Sequence, residues 1–140
     1  MATIKSYSDL QQSRKLAKIL PLESADMYYE EVCNLPKAII GNYVLHNQCM
    51  EDKDYKKLSN SVLSPAWSLA ALLGVLPNNE DISTNLSKGG YRISTLEYTN
   101  SWFVDYEDET NSLNNCVTSA DNPVDACYEM ILKLNELEML

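Results

Sequence analysis

Two short segments of this sequence share a helix-start signal, a residue with a side-chain oxygen followed by proline. Ser64-Pro65 precedes one apolar segment, and Asn122-Pro123 precedes another. An oxygen-bearing N-cap side chain accepts a backbone N–H, and a proline at the first helical position has no N–H to leave unpaired and already holds a helical φ. The two signals therefore predict core helices over residues 65–74 and 123–136, around which the remaining chain must pack.

Three further stretches indicate helices or loops. Ser8-Asp9-Leu10-Gln11 matches a capping box, which predicts a helix over residues 9–20 that ends at Pro21. A short helical turn is expected over residues 24–31. From 33 to 63 the hydrophobic periodicity is poor, with a β-leaning run at 38–45 and a short helix near 54–59, and a long loop of this kind often has a binding role.

The middle of the chain favours strands. Residues 91–98 and 102–106 are rich in aromatic and β-branched types, and the turn residues between them predict an antiparallel hairpin. Further strands are expected near 82–86 and 116–118. The helix over 123–136 has an apolar stripe that needs a sheet to cover. We predict one α+β domain, residues 1–140, with a small antiparallel sheet of three or four strands packed against two or three helices.

The hydrophobic pattern of the sequence bears on the cellular compartment of the protein. No apolar run approaches the length of about 20 residues needed to span a bilayer, and residues 1–6 lack the apolar stretch of a signal peptide. We expect a cytoplasmic protein with no membrane partner. The four cysteines are irregularly spaced in a chain large enough to build its own core, so we expect reduced thiols rather than a disulfide framework.

The negative charge is concentrated at one end. Residues 1–60 hold eight Lys/Arg and eight Asp/Glu, residues 61–100 hold two and three, and residues 101–140 hold one and nine, out of a total net charge of −9. A surface of that sign repels phosphate backbones, which argues against direct nucleic-acid binding. It attracts a basic protein partner or, in the simpler interpretation, only keeps the protein soluble.

Few residues of the sequence suggest a metal site or a catalytic site. Cys33, His46 and Cys49 have zinc-ligand types, but their spacing matches no common zinc module, and we favour free thiols and a solvated histidine. The acidic run over 105–109 lacks the glycine of an EF-hand, and Cys116 stands where its bidentate acid would be. There is no glycine-rich phosphate loop and no nucleophile elbow, so we predict no cofactor, no metal and no enzyme activity.

Aromatic residues beside the acidic run are the candidate partner contacts. Trp67 is expected to pack in the core, whereas Trp102 and Phe103 are strand neighbours and must point to opposite faces, so one of them lies outward. An outward aromatic either anchors an interface or covers a neighbour. The predicted contact surface comprises Trp102, Phe103, Tyr106, Glu107, Asp108 and Glu109.

Our interpretation is a non-enzymatic interaction protein that uses this acidic surface. A nucleic-acid mimic that inhibits a DNA-binding enzyme is the alternative within binding proteins, because a dense run of carboxylates resembles a phosphate backbone in charge. A small hydrolase that uses Asp and Glu is the alternative from another class, since acid–base chemistry by carboxylates has no sequence signature. The oligomeric state has no signal in the sequence.

Several segments together resemble a recurrent group of small bacterial and phage-type proteins of unknown function. The shared features are residues 12–16 with 20–27, Pro65-Ala66-Trp67-Ser68-Leu69, and Asn122-Pro123-Val124-Asp125-Ala126-Cys127. These are helix starts and packing residues. The resemblance implies a common fold and a mobile-element origin, and it brings no catalytic residue to this chain.

Overall fold

A computed structural model describes residues 5–31, 43–58, 62–77, 91–95, 101–106 and 116–140. The chain divides into two compact units, which we call the N-terminal unit, Tyr7–Ala71, and the C-terminal unit, Leu72–Leu140 together with Met1–Ser6. Among the described residues no helix is both long and apolar enough to cross a membrane. The prediction of one domain over residues 1–140 stays a prediction.

The N-terminal unit contains a helix, a three-stranded antiparallel sheet and short helical turns. Its strands have the order β2-β1-β3, with β1 in the centre. The elements in chain order are α1 Leu10–Leu16, a 3-10 turn Leu22–Ser24, β1 Met27–Glu31, β2 Tyr43–His46, a 3-10 turn Asp52–Asp54, α2 Tyr55–Leu58, β3 Leu63–Ala66 and the start of α3 Leu69–Val75. The predicted helical turn over 24–31 is wrong, because this stretch is mostly the central strand.

The helix α1 begins one residue later than predicted. Asp9 is the N-cap, its carboxylate accepts the amide of Gln12 at 2.9 Å, and the Gln12 side chain accepts the Asp9 amide at 3.1 Å. This is a capping box, shifted by one residue from the predicted Ser8 and Gln11. The shift occurs because Ser8 is buried and its hydroxyl bonds to Ser13 instead.

Pro65 lies in a strand and not at a helix start, which corrects the prediction from Ser64-Pro65. Across the ladder between β1 and β3, the Glu31 amide donates to the Val62 carbonyl oxygen at 2.8 Å. In an antiparallel ladder, residue pairs that share hydrogen bonds alternate with pairs that do not. The backbone groups of Ser64 therefore point toward β1, and those of Leu63 and Pro65 point to the outer edge. Proline is tolerated at that position because no ladder hydrogen bond needs its nitrogen.

The helix that follows begins four residues later, at Leu69. Ser68 is its cap, since the Ser68 hydroxyl oxygen accepts the Ala71 amide at 3.2 Å. Asp26 fixes this cap by accepting both the amide and the hydroxyl of Ser68. Of the predicted core helix over 65–74, residues 65–66 therefore belong to β3 and residues 69–74 to α3.

The C-terminal unit packs one long helix on a second antiparallel sheet, of strand order β4-β5-β6. Its elements are β4 Tyr91–Thr95, β5 Trp102–Tyr106, β6 Cys116–Ala120 and α4 Pro123–Glu136. The hairpin, the strand near 116 and the helix over 123–136 were all predicted from the sequence and are confirmed. The predicted strand near 82–86 lies outside the described residues.

The apolar stripe of α4 is buried as its spacing predicted. Val124, Cys127, Ile131 and Leu134 are all inaccessible to solvent. Asn122 caps the helix by accepting the Asp125 amide at 2.8 Å. The α+β class is confirmed, with two small sheets where the sequence analysis predicted one.

Candidate functional site

The outer edge of β3 borders a pocket of about 600 Å³ in the N-terminal unit. Its described lining comes from α1 and the residues just after it, the first 3-10 turn, α2 and β3, namely Arg14, Ala17, Lys18, Leu22, Leu58, Leu63, Ser64 and Pro65. A cavity of this volume is in the range that small-molecule and peptide sites occupy. It is the candidate functional site.

One side of the pocket is basic. Arg14 of α1 and Lys18, two residues beyond the end of that helix, both line the pocket, as does Ala17 next to Lys18. Both cations are exposed. Alanine at 17 is short, so it leaves room between the two longer side chains.

The other side of the pocket is apolar. Leu22 comes from the 3-10 turn, Leu58 from the end of α2, and Leu63 and Pro65 from β3. Leu63 and Pro65 are buried, whereas Leu22 and Leu58 keep part of their surface in solvent. A ligand that covered Leu22 and Leu58 would remove apolar area from water, at about 25 cal/mol per Å².

Two of the helices that line the pocket, α1 and α2, lie on opposite faces of the sheet. The Tyr29 hydroxyl donates to the Ser8 carbonyl oxygen at 2.8 Å, which places α1 on the Tyr29 face. Lys57 lies 3.8 Å from the Glu30 carboxylate, which places α2 on the Glu30 face. Because neighbouring strand residues point to opposite faces, the pocket borders both sides of the outer edge of β3, the edge that pairs with no other described strand.

The charge of Arg14 is held in place but not neutralised. Its guanidinium donates to the Tyr43 hydroxyl at 2.7 Å and lies 5.3 Å from the centre of the Tyr43 ring. A neutral phenol orients the cation and leaves its charge available. Within the described part of the chain neither Arg14 nor Lys18 pairs with a carboxylate. The pocket therefore suits an anionic group.

A second polar cluster lies on the Glu30 face of the same sheet. The His46 ring stacks on the Tyr28 ring at a centroid distance of 4.6 Å, and His46 Nε2 lies 3.1 Å from a Glu30 carboxylate oxygen. Lys57 approaches both Glu30 and Asp54. These contacts join β1, β2 and α2, so the cluster helps to hold this part of the fold together.

The sequence-predicted contact residues occupy β5 and the stretch after it. Tyr106 is fully buried and its hydroxyl donates to the Pro77 carbonyl oxygen at 2.7 Å, so it is a core residue of the C-terminal unit. Trp102 shares the face of Tyr106, and Phe103 lies on the opposite face; both are half-buried. Glu107, Asp108 and Glu109 lie outside the described residues. The acidic contact surface stays a prediction.

Two groups of residues were considered as metal sites from the sequence, the Cys33, His46 and Cys49 series and the acidic run over 105–109. Among the described residues no group of three or more His, Cys, Asp or Glu side chains is placed to hold a metal ion. Cys33 lies outside that part of the chain, and Cys49 is an exposed free thiol. Most of the acidic run over 105–109 is likewise outside it.

The pocket itself was not predicted. Its only sequence signals were the basic residues of the first helix, which the periodicity placed on a solvent face, and the aperiodic segment 33–63, which contains Leu58 and ends at Leu63. What brings Arg14 next to Leu63 is the pairing of β3 with β1, a contact between segments far apart in sequence. Comparison of the chain with family models, curated proteins and solved structures gives no match.

Proposed function

We propose that this protein is a non-enzymatic binding protein whose N-terminal unit takes a ligand with an anionic group and an apolar part. The observation that supports this most is the pocket at the edge of β3, with two cations on one wall and leucines on the other. A ligand with both characters satisfies both walls at once, whereas a purely apolar or purely charged ligand satisfies one.

The composition of the lining supports binding over catalysis. None of the eight described lining residues is a histidine, cysteine, aspartate or glutamate, so this described part of the wall offers no general base. The one lining hydroxyl, on Ser64, is buried and donates to the Pro65 carbonyl oxygen at 3.3 Å. A serine in that arrangement has no partner in the lining that would activate it as a nucleophile.

The charge balance of the unit supports a local attraction. The N-terminal unit holds seven Lys/Arg and eight Asp/Glu, for a net charge of −1. An anion is therefore not drawn to the unit as a whole, and the attraction comes from Arg14 and Lys18 at short range. Because both are exposed, each contributes modestly, and salt weakens that contribution.

Octanoate is a direct probe of the proposal, since it combines a carboxylate with an apolar chain that fits about 600 Å³. Isothermal titration is expected to give a dissociation constant below about 1 mM. The neutral analogue 1-octanol is expected to bind more weakly, because it leaves Arg14 and Lys18 without an anion.

Matched variants locate the binding. Lys18→Gln is expected to weaken octanoate binding about threefold, and Leu58→Glu more than about tenfold, because a carboxylate on the apolar wall repels the ligand. Lys15→Gln removes an exposed cation of α1 that does not line the pocket, and it is expected to leave binding unchanged. Equal effects of Lys15→Gln and Lys18→Gln, or no octanoate binding at all, would contradict the proposal.

A further inference from the structure

We infer that the ligand of this pocket is an extended peptide segment that pairs antiparallel with β3 at Leu63 and carries Asp or Glu next to an apolar residue. The inference rests on the proposed function and names the class of ligand. It depends on a feature the lining alone does not give, which is the direction of the β3 backbone groups.

The backbone of Leu63 faces the pocket. The Glu31 to Val62 hydrogen bond fixes the alternation along β3, so the N–H and C=O of Leu63 point away from β1. No described residue hydrogen-bonds to them. Leu63 also lines the pocket, and the residue as a whole, backbone included, is only 5 % exposed. A donor and an acceptor thus stand side by side at the outer edge of the described sheet, next to the pocket, an arrangement that can take an added strand.

Pro65 limits the length of the pairing. Its backbone also points outward, but proline has no N–H, and its carbonyl oxygen accepts the Ser64 hydroxyl. Within the described part of β3 an added strand therefore exchanges one pair of hydrogen bonds, with Leu63, and gains little from backbone pairing at Pro65. The remaining affinity and the specificity must come from side chains on the two walls.

Because side chains alternate between the two faces of a strand, the pairing with Leu63 determines which peptide side chain meets which wall of the pocket. A peptide residue paired with Leu63 points to the same face as Leu63, which is the face that carries α2 and Leu58. Its neighbours in the peptide point to the opposite face, where α1 presents Arg14 and Lys18. The paired residue is therefore apolar, and an adjacent residue is acidic.

The test uses two fluorescein-labelled peptide amides, Gly-Ser-Thr-Glu-Val-Thr-Ser-Gly and the same peptide with Val before Glu, because either order brings an acid to α1. Fluorescence polarisation with the full chain is expected to show saturable binding of at least one. Replacing Glu by Gln in that peptide is expected to weaken binding by about threefold to tenfold.

N-methylation of the peptide backbone separates strand pairing from side-chain binding. A methyl group on the Val nitrogen removes the donor aimed at Leu63 and is expected to weaken binding at least about tenfold. A methyl group on the Glu nitrogen, which points away from β3, is the matched control and is expected to change binding less than about twofold. In the complex, the Leu63 amide proton is expected to become protected from solvent exchange by NMR.

The outcomes distinguish this inference from the proposed function. If octanoate binds and neither peptide does, or if both N-methylated peptides bind like the parent, strand pairing is overturned and the anion pocket stands. If neither octanoate nor peptide binds, the pocket function itself fails. Loss of peptide binding in Leu58→Glu with unchanged thermal unfolding supports both.

Discussion

The two units of this protein differ in whether their cores contain buried polar side chains. In the described part of the chain, the four buried polar or charged side chains, Ser8, Ser13, Asp54 and Ser64, all lie in the N-terminal unit. The buried side chains of the C-terminal unit belong to hydrophobic residues. The charge differs as well, since the C-terminal unit holds four Lys/Arg against twelve Asp/Glu, for a net charge of −8.

The N-terminal core is organised by hydrogen bonds around Trp67. The Trp67 amide donates to the Ser8 hydroxyl oxygen at 3.1 Å, the Ser8 amide donates to the Trp67 carbonyl oxygen at 2.9 Å, and Trp67 Nε1 donates to the Ser24 hydroxyl oxygen at 2.9 Å. The C-terminal core depends on the apolar stripe of α4 against β5 and β6. The N-terminal core therefore combines hydrophobic packing with buried polar pairs, whereas the described C-terminal core relies on hydrophobic packing.

The largest expected effect is that of Trp67→Ala. Trp67 is fully buried and is the largest side chain in the N-terminal core, so we expect the free energy of unfolding to fall by about 4 kcal/mol. Trp102→Ala in the C-terminal unit removes a half-buried ring and is expected to cost about 2 kcal/mol. Urea unfolding followed by far-UV circular dichroism measures both, and a larger loss for Trp102→Ala would reverse the comparison.

Ser8→Ala tests the polar organisation of the N-terminal core. The change removes the acceptor of the Trp67 amide and the partner of the Ser13 hydroxyl, at 2.8 Å, and leaves both buried groups unpaired. We expect a loss of about 2 kcal/mol. Ser119→Ala, at an exposed position of β6, is the control and is expected to change stability by less than about 0.5 kcal/mol. Equal effects of the two substitutions would show that the hydrogen bonds of Ser8 contribute nothing to the stability of the N-terminal unit.

Asn122→Ala tests how far the C-terminal unit depends on a single polar contact. Loss of the N-cap bond to Asp125 is expected to cost about 1 kcal/mol, less than Ser8→Ala, because the helix start keeps access to water. Asn135→Ala, near the exposed end of α4, is expected to be neutral. A cost for Asn122→Ala above that of Ser8→Ala would contradict the proposed difference between the cores.

Thiol reactivity compares the units without a mutation. Burial raises the pKa of Cys127 to about 11, and burial also raises the pKa of Cys116. Cys49 in the N-terminal unit is exposed. Iodoacetamide at pH 8 is expected to label Cys49 before Cys116 and to reach Cys127 only on unfolding, as peptide mass spectrometry would show. Early labelling of Cys127 would mean that the α4 core opens readily.

The raised pKa of Cys127 also sets a pH dependence. Below about pH 9 the thiol is protonated in both the folded and the unfolded chain, and between about pH 9 and pH 11 only the unfolded chain ionises. Stability is therefore expected to fall as the pH rises through this window. Cys127→Ala is expected to remove that part of the pH dependence, and an unchanged urea midpoint from pH 8.5 to 10.5 would contradict it.

The two proline signals show what a local pattern can and cannot predict. Asn122-Pro123 begins a helix because the residues after it have a helical apolar stripe that covers β5 and β6. Ser64-Pro65 has the same local chemistry and lies in a strand, because β1 offers its backbone a partner and the outer edge tolerates proline. Local preference decides between the two only where no distant strand competes.

The candidate site lay beyond prediction for the same reason. Arg14 and Lys18 were visible as basic residues of a helix, and Leu63 as an apolar residue after a loop. Nothing in their spacing relates them. They share a pocket because β3 pairs with β1 and α1 covers one face of that sheet.

By itself the sequence determined the α+β class, the hairpin of β4 and β5, the helix α4 and the burial of Trp67, because each follows from local periodicity or from the size of one side chain. Only the tertiary structure decided the strand at Pro65, the hydrogen bonds of Ser8 with Ser13 and Trp67, and the outward direction of the Leu63 backbone groups. Each of these depends on hydrogen bonds between segments far apart in the chain. The residues around a serine or a backbone amide do not reveal whether a distant partner will pair with it, so local sequence cannot predict these contacts.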